Sequence, residues 1–495
     1  MAGVAVVAVP AVTLRLLNLN VLGFNSDEAV YAGQAASIAG DSQLSHLFPA
    51  FRAHPLIFQL VVSLFYQFGV HDLTPRLLAV GFGLATVAAA YALGAKIYGR
   101  RAGLLTALFM AVMPYLVVVN RQGLLDGPMV FFTVVALWLV AKFVIEENSR
   151  ALYAAGAVLG LAFLTKETAV LLVPAVYAFL AVTPSVRVSL ADLALSLGSF
   201  AAVGLAYPLS QSLAGGSTSG KHFLVWQLFR QPNHTWSFYP TVVPLAIGIP
   251  LVLLAVGAVV LAAVSRSWSW RESLLVCWIV TPIFFFQLWP TKGFQYLLPI
   301  AAPVAVLAAG MLCGLGRAER LWLARIRRGS TIRTGIAVAV VVWLAVTSWT
   351  SINAANSTSF LAGSGGVPAG RQAGLWLRAH APDGAKLMSI GPSMANILQF
   401  YGHRQVLGLS VSPNPLHRNP AYIPIVNPDL DVSNGEIQYI VWDSYSASRS
   451  DFFSQRLMSY VDRYEGTVAH VESVTVATSA GPVARPVIVI YEVRP

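Results

Sequence analysis

Asn25-Ser26-Asp27-Glu28-Ala29-Val30-Tyr31 is the stretch that decides how this chain is read. It follows an apolar run that begins at Met1, of which roughly residues 3–22 are long enough to span a bilayer. Two adjacent carboxylates at the mouth of such a segment are costly unless they have a function. A helix starting at Ser26, an N-cap type residue, puts Asp27 and Tyr31 on one face by their i, i+4 spacing. The plainer reading is that both acids favour a helix N-terminus through its dipole.

The rest of the chain reads as a scaffold around that pair. Of its 495 residues 56% are hydrophobic and 11% charged, a polytopic membrane composition rather than a soluble one. The net charge of +11 does not point to nucleic acid, because most basic residues sit in short loops between apolar segments. Cys277 and Cys313 both lie inside apolar runs and have neither disulfide-framework nor metal-ligand spacing.

Further spans are expected at roughly 76–97, 102–119, 128–145, 151–164, 168–183, 188–210, 241–264, 273–289, 294–315 and 334–350, about eleven in all. Residues 54–69 are short for a span and suit an interfacial or re-entrant helix. With the N-terminus inside, Arg100, Arg101, Lys142, Arg150, Arg187, Arg266, Arg271 and the cluster Arg317 to Arg333 all fall in cytoplasmic loops. Residues 1–350 form the membrane domain, 351–370 a Ser/Gly/Asn-rich linker, and 371–495 a soluble α/β domain on the outer side. There Arg371 to His380 and Asp451 to Tyr464 read as helices. Lys386 to Ile390, Ile437 to Trp442, Val474 to Thr478 and Val487 to Val493 read as strands.

Other ionisable groups fall on the same outer face. Asp126 lies in a short loop before Pro128, where it also suits a helix cap; Arg121 either bridges to it or holds a phosphate. Lys166 and Glu167 interrupt an apolar stretch and do not face each other, so each needs another partner. Lys292 stands at another boundary, where a snorkelling anchor is the plainer account. His54 and Arg76 complete the set. Carboxylates here suit a general base, and Lys and Arg suit a leaving phosphate. The segment 211–240, with Lys221, Trp226 and Arg230, is long for a connection, and part of it is expected to form an amphipathic helix over a cavity that the outer-face charges share.

These motifs resemble the polyprenyl-phosphate-sugar glycosyltransferases of the GT-C fold, the protein O-mannosyltransferase and aminoarabinose transferase group. The resemblance rests on Asp27-Glu28-Ala29-Val30-Tyr31, His54-Pro55-Leu56, Arg76-Leu77-Leu78, Tyr98 through Gly103, Arg121 through Asp126, Gly160 through Glu167 and Gln295 through Pro299, in that order. It implies an enzyme that takes a sugar from a polyprenyl-phosphate carrier and transfers it, with inversion, to a protein, glycan or lipid hydroxyl on the outer face of the plasma membrane. It further implies that Asp27, with Glu28 beside it, and Asp126 are catalytic, and that Arg121, Lys166, Lys292 and His54 hold the donor phosphate. Tyr31, Glu167, Arg76, Lys221 and Arg230 complete the expected pocket. The aminoarabinose transferases carry Lys in place of His54, and the mannosyltransferases carry a second proline in place of Leu56. The donor sugar therefore stays open between mannose-like and other hexoses or pentoses. A divalent cation between the two acid loops also stays open. The alternative function is a secondary transporter using the same charges, although no inverted repeat is evident.

Overall fold

A chain segment in hydrocarbon must satisfy its own backbone groups, so apolar runs become helices. In the computed structural model, which describes residues 2–50, 54–213, 219–313, 329–353, 367–478 and 481–494, they do. Among the described residues five helices are long and apolar enough to cross a bilayer: Leu73–Tyr98, Asp126–Glu146, Trp270–Leu288, Phe294–Cys313 and Thr331–Asn353. A sixth crossing arises if Phe238–Ile247 and Ile249–Val264, bent by 99° to one another, count as one. The bend falls at Gly248, whose φ of +106° suits glycine, and Pro250 opens the second helix.

The other expected spans are shorter apolar helices of 10–17 residues: Gly3–Leu16, Ser149–Thr165, Glu167–Val182 and Leu190–Gly204. The interfacial segment is the helix Ile57–Tyr66. The run expected over 102–119 breaks into Arg100–Val112 and Pro114–Val119. Pro114 has no N–H to give, so carbonyls in the preceding turn lose their helical partners. Arg15 supplies donors instead, to Met110 O at 3.2 Å and Ala111 O at 2.9 Å. Reciprocally, Arg121 donates to Leu14 O at 2.9 Å, Arg15 O at 3.1 Å and Asn18 O at 3.1 Å, at the end of the first helix.

The C-terminal part holds a five-stranded sheet: β1 Lys386–Ser389, β2 Gln405–Gly408, β3 Ile437–Asp443, β4 Thr467–Thr478 and β5 Gly481–Glu492, in the order β2-β1-β3-β5-β4. β1 pairs in parallel with β2 and β3; β5 runs antiparallel to β3 and β4. Alternation along the strands feeds two cores. Met388 and Ile440 pack with Leu457 and Tyr460 of the helix Asp451–Arg463. Leu387, Val441 and Ile488 share a core with Ile397 and Leu398 and with Phe24, Ala29, Phe48 and Phe58 from the N-terminal region.

The C-terminal part is therefore docked onto the stretch that carries the acid pair. Asn396 Nδ2 donates to Ser26 Oγ at 3.0 Å, Tyr401 Oη accepts from Phe24 N at 2.9 Å, and Arg371 bridges Asp72 at 2.8 Å. Gly33 lets the ring of Phe48 lie against the helix backbone. Residues 354–366 of the expected linker and Arg317 to Arg328 of the basic cluster lie outside the described residues.

Candidate active site

The helix Ser26–Ile38 is started by Asn25, not Ser26. The Asn25 side chain accepts from Glu28 N at 2.9 Å, while the Glu28 carboxylate accepts from Asn25 N at 3.0 Å. This capping box fixes the first helical turn and sends the two acids in different directions. Asp27 and Tyr31, one turn apart, both line a cavity of about 770 Å³. Asp27 is exposed to it and makes no hydrogen bond or ion pair among the described residues.

Glu28 does not line that cavity. It is fully buried, and Arg76 grips it in a fork, Nε to Oε1 and Nη2 to Oε2, each at 2.8 Å. Gly123 N adds a third donor at 2.8 Å, and Asn25 N a fourth. Arg76 also donates to the carbonyls of Leu22 and Gly23, at 2.7 and 2.8 Å. The pair expected to act together is thus one cavity carboxylate and one structural carboxylate, and Arg76 belongs with the structural one.

His54 lies across the cavity from Tyr31, ring centroids 6.0 Å apart and edge-on, and its Nδ1 meets Glu167 Oε2 at 3.0 Å. Burial pulls the His54 pKa down, but the Glu167 carboxylate outweighs it and the pKa is raised. Lys166 Nζ meets Asp126 Oδ1 at 2.7 Å and lies 5.5 Å from the centre of the Tyr296 ring. Both members of that pair are buried; Lys166 lines the cavity and Asp126 stands behind it. The i, i+1 residues Lys166 and Glu167 do find separate partners, as their spacing requires.

Two expected phosphate ligands lie elsewhere. Arg121 is buried and gives its guanidinium to carbonyls of the first helix. Lys292 donates to Gln287 O and Trp289 O, each at 3.1 Å, and lies over the Trp236 ring at 5.5 Å. In each case the cost of a charge near hydrocarbon is met by backbone oxygens rather than by the cavity.

The segment 211–240 does form a helix, Ser219–Leu228, and Phe223, Trp226 and Arg230 line the cavity. Arg230 stacks over Trp226 at 4.7 Å and donates to Gln227 Oε1 at 3.2 Å. The side chain of Lys221 lies outside the described residues. Phe285, Phe286 and Trp289 form an apolar flank. The far wall comes from the loop after β2, with Ser412, His417, Arg418, Asn419 and Tyr422, none of which the sequence reading singled out. Its signal in the sequence is the long stretch between Ile390 and Ile437 in which no element was expected. Among the described residues no group of three or more His, Cys, Asp or Glu converges, and Asp126 is taken up by Lys166. The divalent cation left open above finds no ready ligand set among them.

Comparison with known proteins agrees with this architecture. Residues 53–210 match the family model described as dolichyl-phosphate-mannose-protein mannosyltransferase. The undecaprenyl phosphate-alpha-4-amino-4-deoxy-L-arabinose arabinosyl transferase of Pectobacterium carotovorum subsp. carotovorum is 26% identical over 254 residues, 49% of this chain and 46% of that protein. A second, from Sodalis glossinidius, is 30% identical over 262 residues, 49% of this chain and 45% of the other. The chain thus spans about half the length of these curated relatives. Among solved structures, ArnT from Cupriavidus metallidurans in the apo state superposes with a TM-score of 0.70 at 14% identity, covering 98% of this chain and 97% of that one. The same protein bound to undecaprenyl phosphate gives 0.65 at 15% identity, with the same coverage. The fold is that of the GT-C glycosyltransferases, as the motifs led one to expect. The transporter reading finds no support in these comparisons.

Proposed function

We propose that this chain is an integral membrane glycosyltransferase that moves a sugar from a polyprenyl-phosphate carrier to an acceptor hydroxyl. The observation that carries the reading is Asp27: an uncompensated carboxylate in a cavity whose other walls supply cations and an apolar flank. The names of the similar proteins support the donor class. Asp27 takes the proton of the acceptor hydroxyl, whose oxygen attacks the anomeric carbon from the side opposite the phosphate. The bond from that carbon to the phosphate oxygen breaks as the new one forms, so the configuration inverts. A phosphate leaves as an anion and calls for cations more than for a general acid, unlike the carboxyl pair of a glycosidase. Lys166 and His54, each beside a carboxylate, bring N–H donors to the cavity, and Arg230 and Arg418 add positive charge. Asp126 holds Lys166 in place, and Glu28 with Arg76 holds the turn that aims Asp27.

The same reading sets the topology. The N-terminus and residues 317–333 are cytoplasmic, while residues 25–75 and the α/β domain, 371–495, face outward beyond the linker 351–370. The short apolar helices then complete about eleven crossings. The protein resides in the plasma membrane. The donor sugar is mannose-like or another hexose or pentose; the acceptor is a protein, glycan or lipid. The test is transfer from a panel of polyprenyl-phosphate sugars to membrane extract. Asp27→Asn should lower turnover by about 10²–10⁴, and wild-type turnover in that variant would overturn the assignment.

A further inference from the structure

Pairing off the charges of the cavity leaves the Asp27 carboxylate and two guanidinium groups over. Lys166 is compensated by Asp126 at 2.7 Å, and His54, when protonated, by Glu167 at 3.0 Å. Arg230 and Arg418 line the same cavity, and neither has a carboxylate partner among the described residues. Both are nevertheless held. Arg230 lies over the Trp226 ring and bonds the Gln227 amide. Arg418 Nη1 donates to Ser412 O at 3.4 Å and Pro413 O at 3.0 Å, across its own loop. A ring face, an amide and two carbonyls fix direction without cancelling charge, so each guanidinium keeps free N–H groups for a ligand.

The two arrive from different parts of the chain. The helix Ser219–Leu228, just before Arg230, touches the turn Pro415–His417, just before Arg418. Beside them lie Val225, Leu228, Phe285 and Trp289, an apolar flank next to a cationic pair. An anion with a hydrocarbon tail satisfies both features at once; a free anion uses only the first.

We propose that Arg418, reaching in from the C-terminal sheet unit, clamps the phosphate of the lipid-linked donor together with Arg230. This rests on the reading of the chain as a polyprenyl-phosphate-dependent transferase. Its consequence is that the donor site is incomplete without the C-terminal unit. Two planar forks match the oxygens of one phosphate better than two ammonium groups would.

The test uses the purified full-length protein in detergent, titrated with undecaprenyl phosphate and, separately, with inorganic phosphate. Arg418→Gln and Arg230→Gln should each weaken undecaprenyl phosphate binding tenfold or more, with the melting temperature unchanged. Arg418→Lys, which keeps the charge and loses the fork, should fall between. Wild-type affinity in Arg418→Gln overturns the inference while leaving the transferase reading intact. A wild-type protein that does not bind undecaprenyl phosphate overturns that reading itself. Inorganic phosphate binding as tightly as the lipid overturns the inference, because the apolar flank would then contribute nothing. If Arg418→Gln lowers the melting temperature, Arg418→Lys decides: a loss of threefold or more at unchanged melting temperature supports the clamp, and unchanged affinity overturns it.

Discussion

Mutation should separate the adjacent acids Asp27 and Glu28 into one residue of chemistry and one of stability. Glu28→Ala removes a carboxylate that accepts from Arg76 Nε and Nη2 and from Gly123 N, all at 2.8 Å, and from Asn25 N at 3.0 Å. It leaves the Arg76 guanidinium buried against carbonyl oxygens and the Phe24 ring, with no carboxylate paired to it among the described residues. Breaking one side of a buried pair costs about 3–5 kcal/mol, mostly through the charge left behind. Glu28→Ala and Arg76→Ala should therefore each lower the melting temperature of the solubilised protein by several degrees. The double replacement Glu28→Leu with Arg76→Met should recover most of that loss, since neither charge then remains. Asp27→Asn, at an exposed and unpartnered position, should cost no more than about 0.5 kcal/mol while abolishing most transfer. Thermal scans by intrinsic fluorescence, run beside the transfer assay, read both axes. A Glu28→Gln protein that melts like wild type yet transfers no sugar would refute the division of roles.

Further expectations follow from other sites. A Cβ on Gly33 would collide with the Phe48 ring, so Gly33→Ala should cost about 1–3 kcal/mol, and Phe48→Ala in the same chain should relieve part of it, measured by melting temperature. Burial pushes the Asp443 carboxyl up to about 6, and its Oδ2 has no hydrogen-bond partner among the described residues. The folded state then holds a proton that the unfolded state releases near pH 4, so this group's contribution is full below about pH 4 and falls away as pH rises towards 6. Asp443→Asn, which keeps the acceptor for Ser446 N, should stabilise the protein by about 2–3 kcal/mol at pH 7 and leave it unchanged at pH 4. For topology, a cysteine placed at Arg325 should resist an impermeant reagent applied from outside; labelling from that side would contradict the orientation.

What was legible in the sequence follows a physical division. Apolar run length and β-branched content located most apolar helices and the strand β3, and the helix Gly370–His380 was found nearly to the residue, because those patterns are local. The strand β2, four residues beside a turn, was missed, and so was the helix Pro392–Gly402, which is buried from Met394 to Gly402 and so shows no polar face. Cost near hydrocarbon flagged Asp27, His54, Lys166, Glu167, Arg76, Arg121 and Lys292 as needing partners, and each cation among them has one. The same rule is silent on whether a partner is a ligand, a carboxylate or a carbonyl. That is why Glu28, Arg76, Arg121, Asp126 and Lys292 were expected in a cavity they do not line. The wall from Ser412 to Tyr422 depends on how a distant sheet docks, which no local pattern encodes.

The exchange of donors between Arg15 and Arg121 has a consequence for how the chain is made. Arg15 reaches carbonyls 95 and 96 residues later, and Arg121 reaches back to residues 107, 106 and 103 earlier. Neither helix end is finished until both segments are in the bilayer. At roughly 5–20 residues per second of synthesis, the first helix leaves the ribosome about 5–20 s before its partner exists. During that interval its arginine must rest on water or lipid phosphate at the membrane surface. The two arginines act as a mutual latch, and the N-terminal helix becomes a committed part of the bundle only when the hairpin around Pro114 arrives to close it.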